Sequence, residues 1–179
     1  MRNLALRSFL GIVNLAVMMS LALFLPAGTI HFTQAWWYLA IFFGGVVTIS
    51  IYIFINDKHL LQSRLKAGAT AEKRKVQKLV QSIASIGFIA VYIIAGFDHR
   101  YHWSDVPLWL SVFSDAFVML AMLLFFLVFK TNTYLSATIE TQKEQQVISN
   151  GPYAIVRHPM YSAALLLFLN WLNFFLCCG

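Results

Sequence analysis

The apolar and polar positions divide the chain into five long apolar segments separated by polar connectors. A hydrocarbon core about 30 Å thick needs roughly 20 apolar residues per helical span, and each segment approaches that length. The pattern therefore predicts an all-α protein, a multi-span transmembrane helical bundle that forms a single membrane domain over residues 1–179. The predicted spans are residues 10–25, 36–55, 79–97, 108–129 and 161–178.

The composition agrees with a membrane protein. Of the 179 residues, 60% are apolar and 11% are charged, whereas soluble domains average about 45–50% and about 25%. The basic, apolar N-terminus resembles a signal peptide, but its apolar run is long and no clear A-x-A cleavage site follows, so we predict an uncleaved span. Cys177 and Cys178 are adjacent, which offers neither a disulfide framework nor metal-ligand spacing. We predict no metal site.

The positive charges predict an orientation. Twelve of the thirteen Lys and Arg residues precede the first predicted span or follow the second or fourth, and only Arg100 lies elsewhere. By the positive-inside rule, the N-terminus is predicted to be cytoplasmic. The net charge of +6 then reflects topology and attraction to anionic membrane lipids. No basic patch interleaved with aromatic residues supports a nucleic-acid partner.

Two polar features within this pattern predict local structure. Leu60, Leu61 and Leu65 lie at helical spacing among cations, which is typical of a short amphipathic helix on the inner membrane surface, although a solvated loop remains an alternative. Asp115 lies within the fourth predicted span, where an ionised carboxylate is costly. We therefore expect Asp115 to pair with a polar neighbour.

The most unusual stretch is "ISNGPYAIVRHPMYSA", a polar insert before the last predicted span. The preceding "ETQKEQQVISNG" is predicted to extend the fourth helix until Asn150 and Gly151, residues that often end helices. Pro159 suits the first turn of the next helix and favours an extended His158. Arg157 and His158 would then lie at a helix N-terminus at the membrane surface.

Such a helix start is suited to hold a carboxylate or a phosphate, because its free N–H groups and the Arg157 guanidinium attract anions. The alternative is structural. Arg157 would then extend to a lipid phosphate, and His158 would only cap the helix.

"GPYAIVRHPMY" resembles the signature of the integral-membrane methyltransferases that include isoprenylcysteine carboxyl methyltransferases and phospholipid methyltransferases. The family pattern is Gly-Pro-Tyr, a few residues, Val-Arg-His-Pro and then a Tyr. The likeness extends through "QKEQQVISNG", "NTYLSATIE" and "AGFDHRYHWSDVP", and more loosely to "NDKHLLQSRL". The resemblance implies a bacterial inner-membrane enzyme that transfers a methyl group from S-adenosylmethionine to a lipid-like or isoprenylcysteine-like acceptor. The chain has no G-x-G-x-x-G motif, which agrees with a cofactor bound outside a Rossmann domain.

The resemblance also implies which residues form the site, at cytoplasmic helix ends. Arg157 and His158 are the implied catalytic residues and would contact the polar groups of the cofactor. Methyl transfer mainly requires alignment and exclusion of water, and an aromatic face would stabilise the sulfonium. The other implied cofactor-binding residues are Gly151, Pro152, Tyr153, Pro159 and Tyr161. Gln142 and Gln146, four apart on one helical face, are further candidates for a wall of the cofactor site, and a solvated face is the alternative. The expected partners are membrane lipids and a lipophilic small-molecule or lipid-modified substrate.

Members of this family usually continue with a returning helix and a tail that carries paired glutamates. The chain ends at Gly179, so we expect a C-terminally short form that is either inactive or completed by a partner chain. One alternative is a noncatalytic membrane protein. Another is an NADPH-dependent sterol-type reductase, but those enzymes typically carry Asn and an acid where this chain has Met160 and Ala164.

Overall fold

The computed structural model describes residues 2–65, 75–105, 107–132 and 150–176, and the regular structure in these ranges is entirely helical. This confirms the predicted all-α class. A 3-10 turn, Gly151–Ala154, precedes the last helix. The α-helices are α1 (Arg2–Ala27), α2 (Thr33–Asn56), α3 (Lys58–Leu65), α4 (Lys75–Tyr101), α5 (Leu108–Thr131) and α6 (Pro159–Leu176).

Within the described residues, α1, α2, α4 and α5 are long and apolar enough to cross a membrane. Large apolar side chains on these helices point outward, as with Leu25 at 77% and Leu108 at 73% exposed, which suits lipid rather than water. The chain is therefore a membrane protein. The fifth predicted span coincides with α6, whose described apolar stretch, Pro159–Phe168, is shorter than a span. That span stays a prediction.

The helices pack in neighbouring pairs, with α4 on α1, α2 on α5, and α6 on α5. Gly96 allows the closest approach, because a Cβ there would meet the Leu23 carbonyl oxygen and lie 3.0 Å from the Pro26 Cβ. The hydroxyls of Tyr38 and Tyr92 form a hydrogen bond of 2.6 Å between α2 and α4. These contacts hold the four long helices in one bundle.

The amphipathic segment after the second predicted span forms a helix, α3, as its leucine spacing indicates. Asp57 begins it, since the Asp57 Oδ1 accepts the Leu60 N–H at 2.9 Å, which is the usual role of an N-cap carboxylate. Leu60 and Leu61 are 1% and 4% exposed and pack with Ile53 and Phe129. The apolar face of α3 therefore covers the ends of α2 and α5 in the bundle.

At the other end of the bundle, α4 ends in a tight turn. His102 has a φ of +50°, and the Trp103 N–H donates to the Asp98 carbonyl at 3.4 Å. This is the Schellman pattern, with a histidine at the position that glycine usually occupies. The turn directs the chain back over the end of α4. Half-buried Asp115, in α5, has no hydrogen-bond or ion-pair partner among the described residues, so the expected pairing is not found there.

Candidate functional site

The polar insert forms an elbow, defined here as residues 150–161, beside the end of α5. The α5 helix ends at Thr131, and Asn132 has an extended backbone with φ −123° and ψ 99°. The fourth helix therefore does not continue unbroken past Asn132, and the rest of its predicted extension, residues 140–149, lies outside the described residues. Residues 133–149, including the predicted cofactor residue Gln146 and its neighbour Gln142, lie outside the described residues.

Two contacts hold the elbow against α5. Gly151 has a φ of +59°, a left-handed backbone conformation that favours glycine. A Cβ at this position would lie 2.8 Å from the Thr131 Oγ1, so only glycine allows this approach. The Asn132 Nδ2 donates to the Tyr153 hydroxyl at 2.9 Å. Gly151 and Tyr153 thus fix the path of the chain into α6.

The predicted start of the last helix is confirmed. Pro159 is the first residue of α6 and is buried, and its lack of an N–H costs nothing at this position. The His158 carbonyl accepts the N–H groups of Tyr161 and Ser162 at 3.1 and 3.3 Å. His158 therefore forms the backbone cap of α6, and its imidazole remains exposed.

The predicted cofactor-contacting side chains lie together on the open side of the elbow. Arg157 and His158 are exposed, and Tyr161 is 74% exposed. The His158 and Tyr161 rings are tilted, with their centroids 5.7 Å apart. The elbow thus combines a fixed backbone with a guanidinium and two aromatic rings that the fold leaves accessible.

A cavity of about 610 Å³ lies between the elbow and α5. Its volume falls within the range of small-molecule sites, about 300–1,000 Å³. Among the predicted site residues, Gly151 and Pro152 line the cavity, whereas Tyr153, Arg157, His158, Pro159 and Tyr161 do not. Among the described residues, the lining consists of Leu124, Leu127, Lys130, Thr131, Asn150, Gly151, Pro152 and Ile155.

The α5 side of this cavity was missed by the sequence analysis. Lys130 and Thr131 lie in the last turn of α5, and the Asn132 side chain donates a hydrogen bond to the Tyr153 hydroxyl. A signal for them exists, because Asn132 opens the stretch "NTYLSATIE" that shares the family likeness. The sequence gives no such signal for Leu124 and Leu127, the apolar wall of the cavity. Both are leucines within a predicted membrane span, where leucine is common.

Among the described residues, the charged side chains of the elbow and of its cavity are cations. Residues 150–176 contain no Asp or Glu, while Arg157 stands at the start of α6 and Lys130 lines the cavity. Charge-assisted hydrogen bonds from such groups favour a carboxylate or a phosphate. The apolar cavity wall suits a hydrocarbon group. The elbow can therefore receive an anionic polar group and an apolar group side by side.

Residues 110–177 match the model of the isoprenylcysteine carboxyl methyltransferase (ICMT) family. The matched segment contains most of α5, the whole elbow and α6. No match is found among curated proteins or among solved structures. The family match and the four long apolar helices support a membrane methyltransferase in general. Residues 110–177 are thus similar to the isoprenylcysteine carboxyl methyltransferase family, which agrees with the resemblance of "GPYAIVRHPMY".

Proposed function

We propose that the chain transfers a methyl group from S-adenosylmethionine to a lipid-like or isoprenylcysteine-like acceptor at the elbow. One observation carries the proposal. The elbow is held against α5 through Gly151 and Tyr153 while Arg157, His158 and Tyr161 stay exposed at the start of α6. A site that must grip a polar cofactor needs this combination of a fixed backbone and accessible side chains.

The residues of the elbow fit the chemical groups of S-adenosylmethionine. The donor carries a carboxylate, which suits the Arg157 guanidinium. Its sulfonium is a cation, and an aromatic face such as that of Tyr161 stabilises a nearby cation by about 0.5–2 kcal/mol. His158 can donate or accept a hydrogen bond. The cofactor supplies an activated methyl group, and the chain supplies binding and orientation.

The main contribution of the chain is positioning. Holding two reactants in a productive orientation lowers the barrier by several kcal/mol, and removal of water protects the reacting groups. Pro159, which is buried, and Gly151 fix the backbone on both sides of Arg157 and His158. These two side chains therefore start from a defined position rather than from a loop that must be ordered on binding.

The cavity beside the elbow suits the acceptor. Leu124, Leu127 and Ile155 provide an apolar wall that continues from the membrane-facing surface of α5, and Lys130 provides a cationic rim. An amphiphile could keep its hydrocarbon part in the bilayer and bring its polar end to the elbow. This supports a lipophilic or lipid-modified substrate among the proposed partners.

We further propose that the elbow faces the cytoplasm, in the inner membrane of a bacterium. Lys58, Lys75 and Lys130 lie at the same helix ends as the elbow, and Arg100 lies at the other end of α4. This distribution supports a cytoplasmic N-terminus by the positive-inside rule. S-adenosylmethionine is a charged cytosolic metabolite, so the orientation is consistent with the proposed cofactor.

The direct test uses the full chain, purified and reconstituted in proteoliposomes. Equilibrium binding of S-adenosylmethionine should saturate, and NADPH should not bind. Tritiated S-adenosylmethionine should then label a farnesylcysteine analogue or a phospholipid. Binding without transfer would indicate that a partner chain completes the site. No S-adenosylmethionine binding at millimolar concentration would overturn the proposal in favour of a noncatalytic protein, and NADPH binding would favour a reductase.

A further inference from the structure

The outward side of α1 carries one amide among apolar side chains. At Leu23, which is buried, α1 packs against Gly96 of α4. Asn14 precedes Leu23 by about two and a half helical turns, so it faces the opposite side. Asn14 is exposed and has no hydrogen-bond partner among the described residues. Because it lies within the apolar span Leu4–Ala27, its unpaired amide is costly, which favours a partner that the described bundle does not supply.

The apolar side chains around Asn14 have the spacing of a seam between two helices. Leu10, Val17 and Leu21 are 54%, 53% and 58% exposed, and with Asn14 they recur at intervals of four, three and four residues. This is the heptad spacing by which two helices pack along a shared line. We call these four residues the α1 seam. Arg7, one heptad before Asn14, is exposed and ends the seam at the membrane surface, where its charge can reach lipid phosphates.

A glycine beside the α1 seam allows another helix to approach closely. Gly11 lies three residues before Asn14, and a Cβ there would meet nothing within 4 Å. No contact within the described bundle therefore requires a small residue at this position. In membranes, small residues at an interface let two helix backbones come close, and amide side chains then form hydrogen bonds from one helix to the other. Gly11 and Asn14 together thus suit a second helix packed against α1.

The amide of Asn14 is complementary to itself. It carries two N–H donors and one carbonyl acceptor, so two Asn14 side chains can exchange hydrogen bonds, which two carboxylates or two ammonium groups cannot. Two copies inserted in the same orientation are related by a two-fold axis along the membrane normal, and this symmetry places both amides at the same depth. A different protein would need a polar side chain at that depth. Self-complementarity and equal depth therefore favour a second copy of this chain as the partner.

We propose that the α1 seam is the interface of a parallel homodimer, in which the Asn14 amides of two copies form hydrogen bonds with each other. Leu10, Val17 and Leu21 pack along the same interface, and Gly11 allows the two α1 helices to approach. The two elbows then lie on the same side of the membrane. No residue of the α1 seam belongs to the elbow or to the described lining of its cavity, so the inference does not depend on the proposed function.

The first test measures self-association of the purified full chain by sedimentation equilibrium in density-matched nonionic detergent. The unchanged chain should show a reversible equilibrium between monomer and dimer. Asn14→Ala should raise the dissociation constant about three- to tenfold, the scale of a hydrogen bond between membrane helices, and Asn14→Gln, which keeps an amide, should restore most of the association. Ser85→Ala is the matched control, because Ser85 is exposed on α4 and its Oγ already donates to the Gln81 carbonyl at 2.8 Å.

A second pair of variants tests the close approach of the two helices. Gly11→Leu adds a bulky side chain beside the α1 seam and should weaken the dimer at least about tenfold, because the helices must separate. Gly87→Leu is the matched control, since Gly87 is exposed on α4 and a Cβ there also meets nothing within 4 Å. Equal effects of the two variants on the dissociation constant would contradict an interface on α1.

Disulfide cross-linking in proteoliposomes locates the interface, with both native cysteines replaced by serine. Val17→Cys should form an intermolecular disulfide, because the two-fold axis brings the two residues within bridging distance. Ile83→Cys, at a position 61% exposed on α4, should not. An unchanged chain that stays monomeric, an Asn14→Ala dimer as stable as the unchanged one, or equal cross-linking through Ile83→Cys would overturn the proposal.

Discussion

Two cavities at opposite ends of the helix bundle are lined by charged residues of opposite sign. At the elbow, Lys130 and Arg157 are cations and residues 150–176 contain no acid. At the other end of the bundle, Asp98 and Asp105 line a cavity, and the Arg100 guanidinium lies beside Gly28 instead. The difference teaches that one apolar bundle can present cationic and acidic side chains at separate helix ends.

The largest expected effect comes from removing the cation of the elbow. Arg157→Ala should weaken S-adenosylmethionine binding by about 1.5–3 kcal/mol, the scale of a charged hydrogen bond. Arg100→Ala is the matched control, because it removes a cation from the other end of the bundle. Equilibrium dialysis of both variants measures the difference. Equal losses of S-adenosylmethionine affinity in the two variants would show that it does not matter at which end of the bundle the cation lies.

The next effect separates stability from ligand binding. Gly96→Ala should lower the free energy of unfolding by about 1–3 kcal/mol, the range for an overpacked core, because its Cβ would meet the backbone of α1 at Leu23. Gly87→Ala is the control, since a Cβ there meets nothing within 4 Å. Denaturant titration in detergent gives both values. Folded Gly96→Ala protein should keep its affinity for S-adenosylmethionine, and a selective loss of that affinity would contradict the account.

A smaller effect is expected where the elbow rests on α5. Gly151→Ala places a side chain in a left-handed conformation, which costs about 1–2 kcal/mol, and brings its Cβ to 2.8 Å from the Thr131 Oγ1. S-adenosylmethionine affinity should fall by a similar free energy, because the elbow must shift. The double variant Gly151→Ala with Thr131→Ala should recover part of the loss. Full affinity in the single variant would show that the position of the elbow does not matter.

The smallest effect tests the side-chain contact that holds the elbow. Tyr153→Phe removes the hydrogen bond from Asn132, and a typical intramolecular hydrogen bond contributes about 0.5–1.5 kcal/mol. S-adenosylmethionine affinity should fall within that range. Tyr38→Phe removes the hydrogen bond between α2 and α4 and should affect stability only. If Tyr38→Phe weakened cofactor binding more than Tyr153→Phe does, binding would depend on the hydrogen bond in the core rather than on the one at the elbow.

The sequence was sufficient for those parts of the fold that depend on local chemistry. Apolar length predicts α1, α2, α4 and α5, and Pro159 predicts the start of α6, because a proline constrains its own backbone. The leucine spacing of α3 is compatible with both a helix and a solvated loop, because a pattern of that length fits either structure. Burial against Phe129 in the fold is what favours the helix.

Features that depend on contacts between distant segments could not be predicted. Asn132 interrupts the expected extension of the fourth helix, and its bond to Tyr153 joins residues 21 positions apart. The approach of Gly151 to Thr131 likewise requires the packing of α6 on α5. The expectation that Asp115 pairs with a polar neighbour follows only from the free-energy cost of placing a charge in lipid. That cost does not identify which residue the partner would be. Single-residue rules specify what a group needs, and tertiary packing decides which neighbour supplies it.

Photo-crosslinking of S-adenosylmethionine tests the central claim most directly. The purified full chain is irradiated with labelled cofactor, and the modified peptide is identified by mass spectrometry. Label is predicted within residues 150–161, should be lost with excess S-adenosylhomocysteine, and should fall sharply in Arg157→Ala but not in Arg100→Ala. Label at the opposite end of the bundle, around Asp98 and Asp105, or equal labelling of both variants, would contradict a cofactor site at the elbow.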